Sequence, residues 1–169
     1  MLESQPVIRA AMAADIPVLF QLIQALAAYE KLSHAVTGTA ADLEEHLFGP
    51  KSHAEALLAD VDDQSVGFAL FFYNYSTFLT RPGIYLEDLF VLPEYRQRGI
   101  GKALLSYLGQ RAVAHNCGRL EWSVLDWNEP AIAFYRRMGA DILPDWRICR
   151  VTGEALENLA NLHPIATIE

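Results

Sequence analysis

Apolar positions change period several times along the chain, and each change marks an element. Residues 6–10 predict a short opening strand. Asp15 can cap a helix whose apolar face runs Ile16, Leu19, Phe20, Ile23, Leu26 and Ala27, ending near Tyr29 to Lys31. Thr39 can cap a shorter helix carrying Leu43, Leu47 and Phe48, which stops at Gly49-Pro50. Residues 53–60, 65–75 and 83–92 are rich in apolar, β-branched and aromatic side chains and predict three strands, with Asp62-Asp63-Gln64 as a hairpin turn. Helical spacing returns at Ile100, Leu104, Leu105, Leu108 and Ala112 and ends before Asn116-Cys117-Gly118. A strand is predicted over 120–125. Asn128-Glu129-Pro130 supplies a cap and a first-turn proline for a helix reaching Met138 and stopping at Gly139. A hairpin of short strands over 140–151 and a helix over 153–161 complete the pattern.

This order predicts an α+β fold in which a central helix crosses between strands. A chain of 169 residues fits one domain, 1–169, with a core that needs neither disulfides nor structural metal. Cys117 and Cys149 are far apart and lack zinc-ligand spacing, and no secretory segment opens the chain, so both read as reduced thiols in a cytoplasmic protein. No apolar run reaches the roughly 20 residues that span a bilayer, which excludes a membrane helix. Thirteen basic against 21 acidic residues leave a net charge of −8. That charge repels nucleic acid and suits a basic substrate.

The candidate chemistry centres on Arg96-Gln97-Arg98-Gly99-Ile100-Gly101-Lys102, a turn leading from an apolar strand into an amphipathic helix. Glycine allows a tight turn and close approach, and the first N–H groups of the helix lack intrahelical acceptors, so an anion such as a pyrophosphate fits there. It is not a dinucleotide fingerprint, because the third glycine and the upstream βαβ start are missing. Nor is it a P-loop: Ala103 follows Lys102 where magnesium binding needs Ser or Thr.

Together with Leu86-Glu87-Asp88-Leu89-Phe90-Val91 and Trp127-Asn128-Glu129-Pro130-Ala131-x-x-Phe134-Tyr135-x-x-x-Gly139-Ala140, this turn resembles the GCN5-related N-acetyltransferases. Within them it is similar to the diamine and polyamine (spermidine/spermine) branch. The resemblance implies the acyltransferase fold of that superfamily: a three-layer α/β sandwich whose mixed, mostly antiparallel sheet splays between parallel strands 83–92 and 120–125. It implies acetyl-CoA as acetyl donor, with its pyrophosphate on the amides of Gln97, Arg98, Gly99, Ile100, Gly101 and Lys102 and with Arg96, Arg98 and Lys102 supplying charge. Its pantetheine arm would lie along Leu89, Phe90 and Val91, with Asn128 bonding the arm. A homodimer is implied as well, and Phe71-Phe72-Tyr73-Asn74-Tyr75 is an apolar segment that could help build one.

Acetyl transfer to an amine needs a neutral nucleophile, a stabilised oxyanion and a proton for the leaving thiolate. Alkyl amines have a pKa of about 10 and are protonated at neutral pH, so a base is required. Glu87 is the candidate, directly or through water. Tyr135 matches the family's general acid, since a phenol keeps its proton at neutral pH. A backbone N–H within 89–91 is expected to meet the oxyanion. No serine or cysteine constellation competes, and His34, His46, His53, His115 and His163 lack ligand spacing, so direct attack in a ternary complex without metal is expected. Tyr29, Glu30, Glu87, Asp88, Glu121, Trp122 and Ser123 are the candidate acceptor-pocket residues, with Asp126 as a further acid. They suit a diamine or polyamine. A lysine analogue or an aminoglycoside-like amine is the alternative, and a non-catalytic acyl-CoA-binding module is the alternative from another class.

Overall fold

The computed structural model describes residues 5–162; His163 lies outside them. Alternating apolar residues build five strands, β1 (Val7–Ala10), β2 (Glu55–Val61), β3 (Gln64–Ser76), β4 (Arg81–Val91) and β5 (Leu120–Glu121), which lie side by side in chain order. The first four pair antiparallel, and β5 runs parallel to β4. Asp62 and Asp63 take positive φ angles of 49° and 61°, and Val61 pairs with Gln64, so the predicted hairpin turn forms with the twist that adjoining strands favour.

One face of the sheet presents Ala56, Leu58, Phe68 and Phe90 to α1 (Ile16–Tyr29) and α2 (Ala40–Phe48), where Ile16, Leu19, Leu22 and Leu47 complete the cluster. Phe68 has no solvent exposure, so its truncation to alanine would cost about 3–5 kcal/mol. Strand residues of the other parity, among them Leu57, Phe71 and Leu86, are buried as well. On that side packs α3 (Ile100–Ala114), burying Ile100, Leu104, Leu105 and Leu108 and placing Arg111 5.2 Å from the Phe71 ring. Helices, sheet and helix make the three layers of the expected α+β fold.

The chain divides into two compact units, one reaching to Trp127 and one beginning at Asn128. In the second, the Asn128 side chain accepts the Ala131 N–H at 3.3 Å and Pro130 occupies the first turn of α4 (Glu129–Arg137), as expected of a capped helix start. The last helix is α5 (Glu154–Ala160).

Four expectations need correction. The strand over 120–125 ends at Glu121, because pairing with β4 stops at the Tyr85–Glu121 pair and the following residues have no ladder to join. No strands form over 140–151 among the described residues. Leu143, Trp146 and Ile148 are exposed there, and a short hairpin without an apolar face to pack is marginal. Asp15 precedes α1 without capping it. Its carboxylate instead accepts the Met12 N–H at 2.8 Å and pairs with Arg9 at 2.6 Å. Of the aromatic segment 71–75, Phe71 is fully buried and only Tyr73 and Tyr75 of its aromatic residues are exposed.

Candidate active site

Strand β4 carries an irregularity where the chemistry was expected. Leu70 pairs with Asp88 and Phe71 with Leu86, which leaves Glu87 as an extra residue without a partner, a β-bulge. The bulge changes the phase of the strand. Tyr85, opposite Phe72, and Asp88, opposite Leu70, therefore share the face that carries Phe90 and α1, while Glu87 is turned to solvent. Tyr85 also bonds Ser123 through their hydroxyls at 2.9 Å, just beyond the point where β4 and β5 part.

Burial, then the charges of Glu87 and Glu30, push the Asp88 carboxyl up to about 6. Burial raises Glu30 too. Among the described residues no cation pairs with Glu30, Glu87 or Asp88. Asp88 and Glu30 thus lose hydration without a compensating cation, and the Glu87 charge acts on Asp88, a costly arrangement that a cationic ligand would relieve. Glu30 directly follows α1, whose last residue Tyr29 lies 6.4 Å, ring to ring, from both Phe90 and Trp127. Trp127 was not among the pocket residues expected from the sequence. Only its place in the Trp-Asn-Glu-Pro motif hinted at a role.

The glycine turn adopts the conformation its residues suggested. Gln97 and Gly99 have φ angles of +63° and +79°, and Gly99 precedes α3 without a side-chain cap on its first N–H groups. No atom lies within 4 Å of where a Gly99 Cβ would stand, so the turn opens onto space. These features fit a diphosphate. The Arg98 guanidinium stands 5.1 Å from the Tyr95 ring. Beyond Tyr85, the side of β4 that faces β5 has no strand partner along Leu89, Phe90 and Val91, which leaves an edge that an amide-bearing arm could follow.

Other expected residues have different surroundings. Glu121 is engaged by Arg119 at 2.7 Å and by the Asn74 side chain at 3.1 Å. Arg96 turns back onto the strand, its Nε donating to the Val91 carbonyl at 3.0 Å. Ser123 is exposed and Trp122 half-buried. Asn128 and Tyr135 are buried and belong to the second unit, where Tyr135 lies on α4 beside Phe134 at 5.3 Å. No group of three or more His, Cys, Asp or Glu residues able to hold a metal occurs among the described residues.

An open, uncapped turn before α3, a sheet whose parallel strands part after Tyr85, and carboxylates without a basic partner among the described residues fit an acyl-CoA-dependent transferase acting on amines. Residues 21–140 match the Acetyltransferase (GNAT) family, and the chain belongs to it. Members take their acetyl group from acetyl-CoA, and this chain is an N-acetyltransferase. It is 34% identical over 201 residues to the L-ornithine N5-acetyltransferase NATA1 of Arabidopsis thaliana, covering 92% of this chain and 88% of that protein. It is 39% identical over 164 residues to the thialysine N-epsilon-acetyltransferase of Bos taurus, covering 90% and 96%. Among solved structures, an integron cassette protein from the mobile metagenome of V. cholerae superimposes with a TM-score of 0.77 at 25% identity, over 93% of this chain and 98% of that one.

Proposed function

We infer that this enzyme acetylates one primary amine of a small molecule that carries a second cationic group, as diamines, polyamines and ornithine-like amino acids do. The observation that carries the reading is the trio Glu30, Glu87 and Asp88, in which burial first and the two neighbouring charges second raise Asp88, and which is left without a basic partner among the described residues. An ammonium group would supply the missing charge, and the rings of Tyr29 and Trp127 suit its alkyl stem and its cation. That two relatives are named for ornithine and thialysine, each with two amines, supports the same class.

Acetyl-CoA, when bound, supplies the activated acyl group. The amides of Gln97 to Lys102, with Arg98 and Lys102 adding charge, hold its diphosphate, and Leu89, Phe90, Val91 and Asn128 hold the arm. Glu87, exposed on its bulge, takes the proton from the attacking amine, directly or through water. A backbone N–H within 89–91 meets the developing oxyanion, and Tyr135 returns a proton to the departing sulfur. Trp122, Ser123 and Glu121 line the acceptor side more remotely. No acyl-enzyme is formed, and the protein works as a cytoplasmic homodimer.

Thiol release and product mass measured over a panel of ornithine, thialysine, lysine, 1,4-diaminobutane, spermidine and an aminoglycoside test the reading. Acetylated product is expected with at least one small diamine or diamino acid. Saturable CoA binding with no acetylated amine from the whole panel would overturn it.

A further inference from the structure

The guanidinium of Arg96 is engaged on three sides. Its Nε donates to the Val91 carbonyl at 3.0 Å, and its central carbon lies 4.3 Å from the Tyr29 ring centroid and 5.6 Å from that of Phe90. One flat group thus ties the last turn of α1 to the end of β4, across the rings that stand between them. Its charge is spent on neither Glu30 nor Asp88, although both are unneutralised. Nor does its Nε point outward from the turn, since the strand carbonyl accepts it.

We propose that Arg96 is a positioning residue for amine recognition: it fixes the Tyr29 ring and, through it, the end of α1 that sets Glu30 against Asp88. The inference rests on the amine-acceptor reading of that acid trio. Donor affinity then comes from the turn amides with Arg98 and Lys102, and Arg96 contributes little to it. A point charge could serve a phosphate equally well, but only a planar cation can stack on Tyr29 while bonding the Val91 carbonyl.

Arg96→Lys separates the two roles. Wild-type enzyme is first assayed with ornithine and 1,4-diaminobutane; no transfer to either would remove the acceptor reading and this inference with it. With an active wild type, Arg96→Lys is expected to raise KM for the amine about five-fold or more while the Kd for CoA, measured by calorimetry, stays within about two-fold. Tyr29→Leu is expected to raise the amine KM similarly, and the double variant to add less than about two-fold to either single change. A loss of CoA affinity with an unmoved amine KM would overturn the inference alone, as would full additivity in the double variant. Should Arg96→Lys fail to fold, an unchanged amine KM in Tyr29→Leu would overturn it independently.

Discussion

Tyr85 and Asp88 share one face of β4 although three positions separate them, because Glu87, which lies between them with no partner on β3, resets the alternation of the strand. Bulges re-aim side chains, and this one presents an acid and a phenol toward α1 while turning a second acid outward. The proposed acceptor pocket rests on that geometry.

Asp88 should be a stability liability at neutral pH. Its carboxyl rises to about 6 from the ordinary 3.8, so the folded protein keeps a proton that the unfolded chain has already lost. The resulting stabilisation is full below pH 3.8 and disappears as pH rises through about 6. Above that, ionised Asp88 opposes folding by something on the order of 2 kcal/mol, discounted for its partial contact with solvent. Asp88→Asn is therefore expected to melt at a higher temperature than wild type at pH 7.5 and at nearly the same temperature at pH 4. A variant less stable than wild type at pH 7.5 would contradict this.

Glu87→Gln removes the proposed base at an exposed position, and with it the charge that helps raise Asp88. The variant should lose about ten-fold or more in kcat/KM at pH 7 and recover as pH rises, because the amine then sheds its proton unaided. An initial-rate profile from pH 6.5 to 10 parallel to that of wild type would assign the proton to another group.

Tyr135→Phe keeps the ring on α4 and removes the hydroxyl that is the proposed proton donor. CoA affinity should stay nearly constant while kcat falls about ten-fold or more. Equal turnover would remove Tyr135 from the chemistry.

Two glycines in one segment should respond oppositely to alanine. Gly99 sits at a φ of +79° with open space around it, so Gly99→Ala costs about 1 kcal/mol through backbone strain and weakens CoA binding by distorting the turn. Gly109 lies inside α3 with no atom within 4 Å of its missing Cβ, and Gly109→Ala should stabilise by roughly 0.5–1 kcal/mol. Denaturant melts and CoA titrations check both.

Elements carrying their own local signals were legible in the sequence. The stretch from Ile16 to Tyr29 is helical by its apolar stripe, Asp62-Asp63 by its turn chemistry forces the hairpin, and Gly99 announces a left-handed residue. What depends on a distant partner was not. Residues 122–125 alternate like a strand, yet a strand also needs a neighbour, and β4 has parted from the chain there. The bulge at Glu87 depends on pairing with β3, so the phase that brings Tyr85 onto the face of Asp88 has no trace in the residue order. Arg96 read as a phosphate ligand from its place in the turn. Its engagement with Val91 and Tyr29 appears only once α1 and β4 are packed together.

The central claim is that Glu30 and Asp88 receive a second cation on the acceptor. Its most direct test compares kcat/KM for 1,4-diaminobutane with that for n-butylamine, in wild type and in the Glu30→Gln, Asp88→Asn double variant. The diamine is expected to be favoured by about ten-fold or more in wild type, with most of that preference gone in the variant. Equal use of the two amines by wild type, or a preference that survives loss of both acids, would contradict the account.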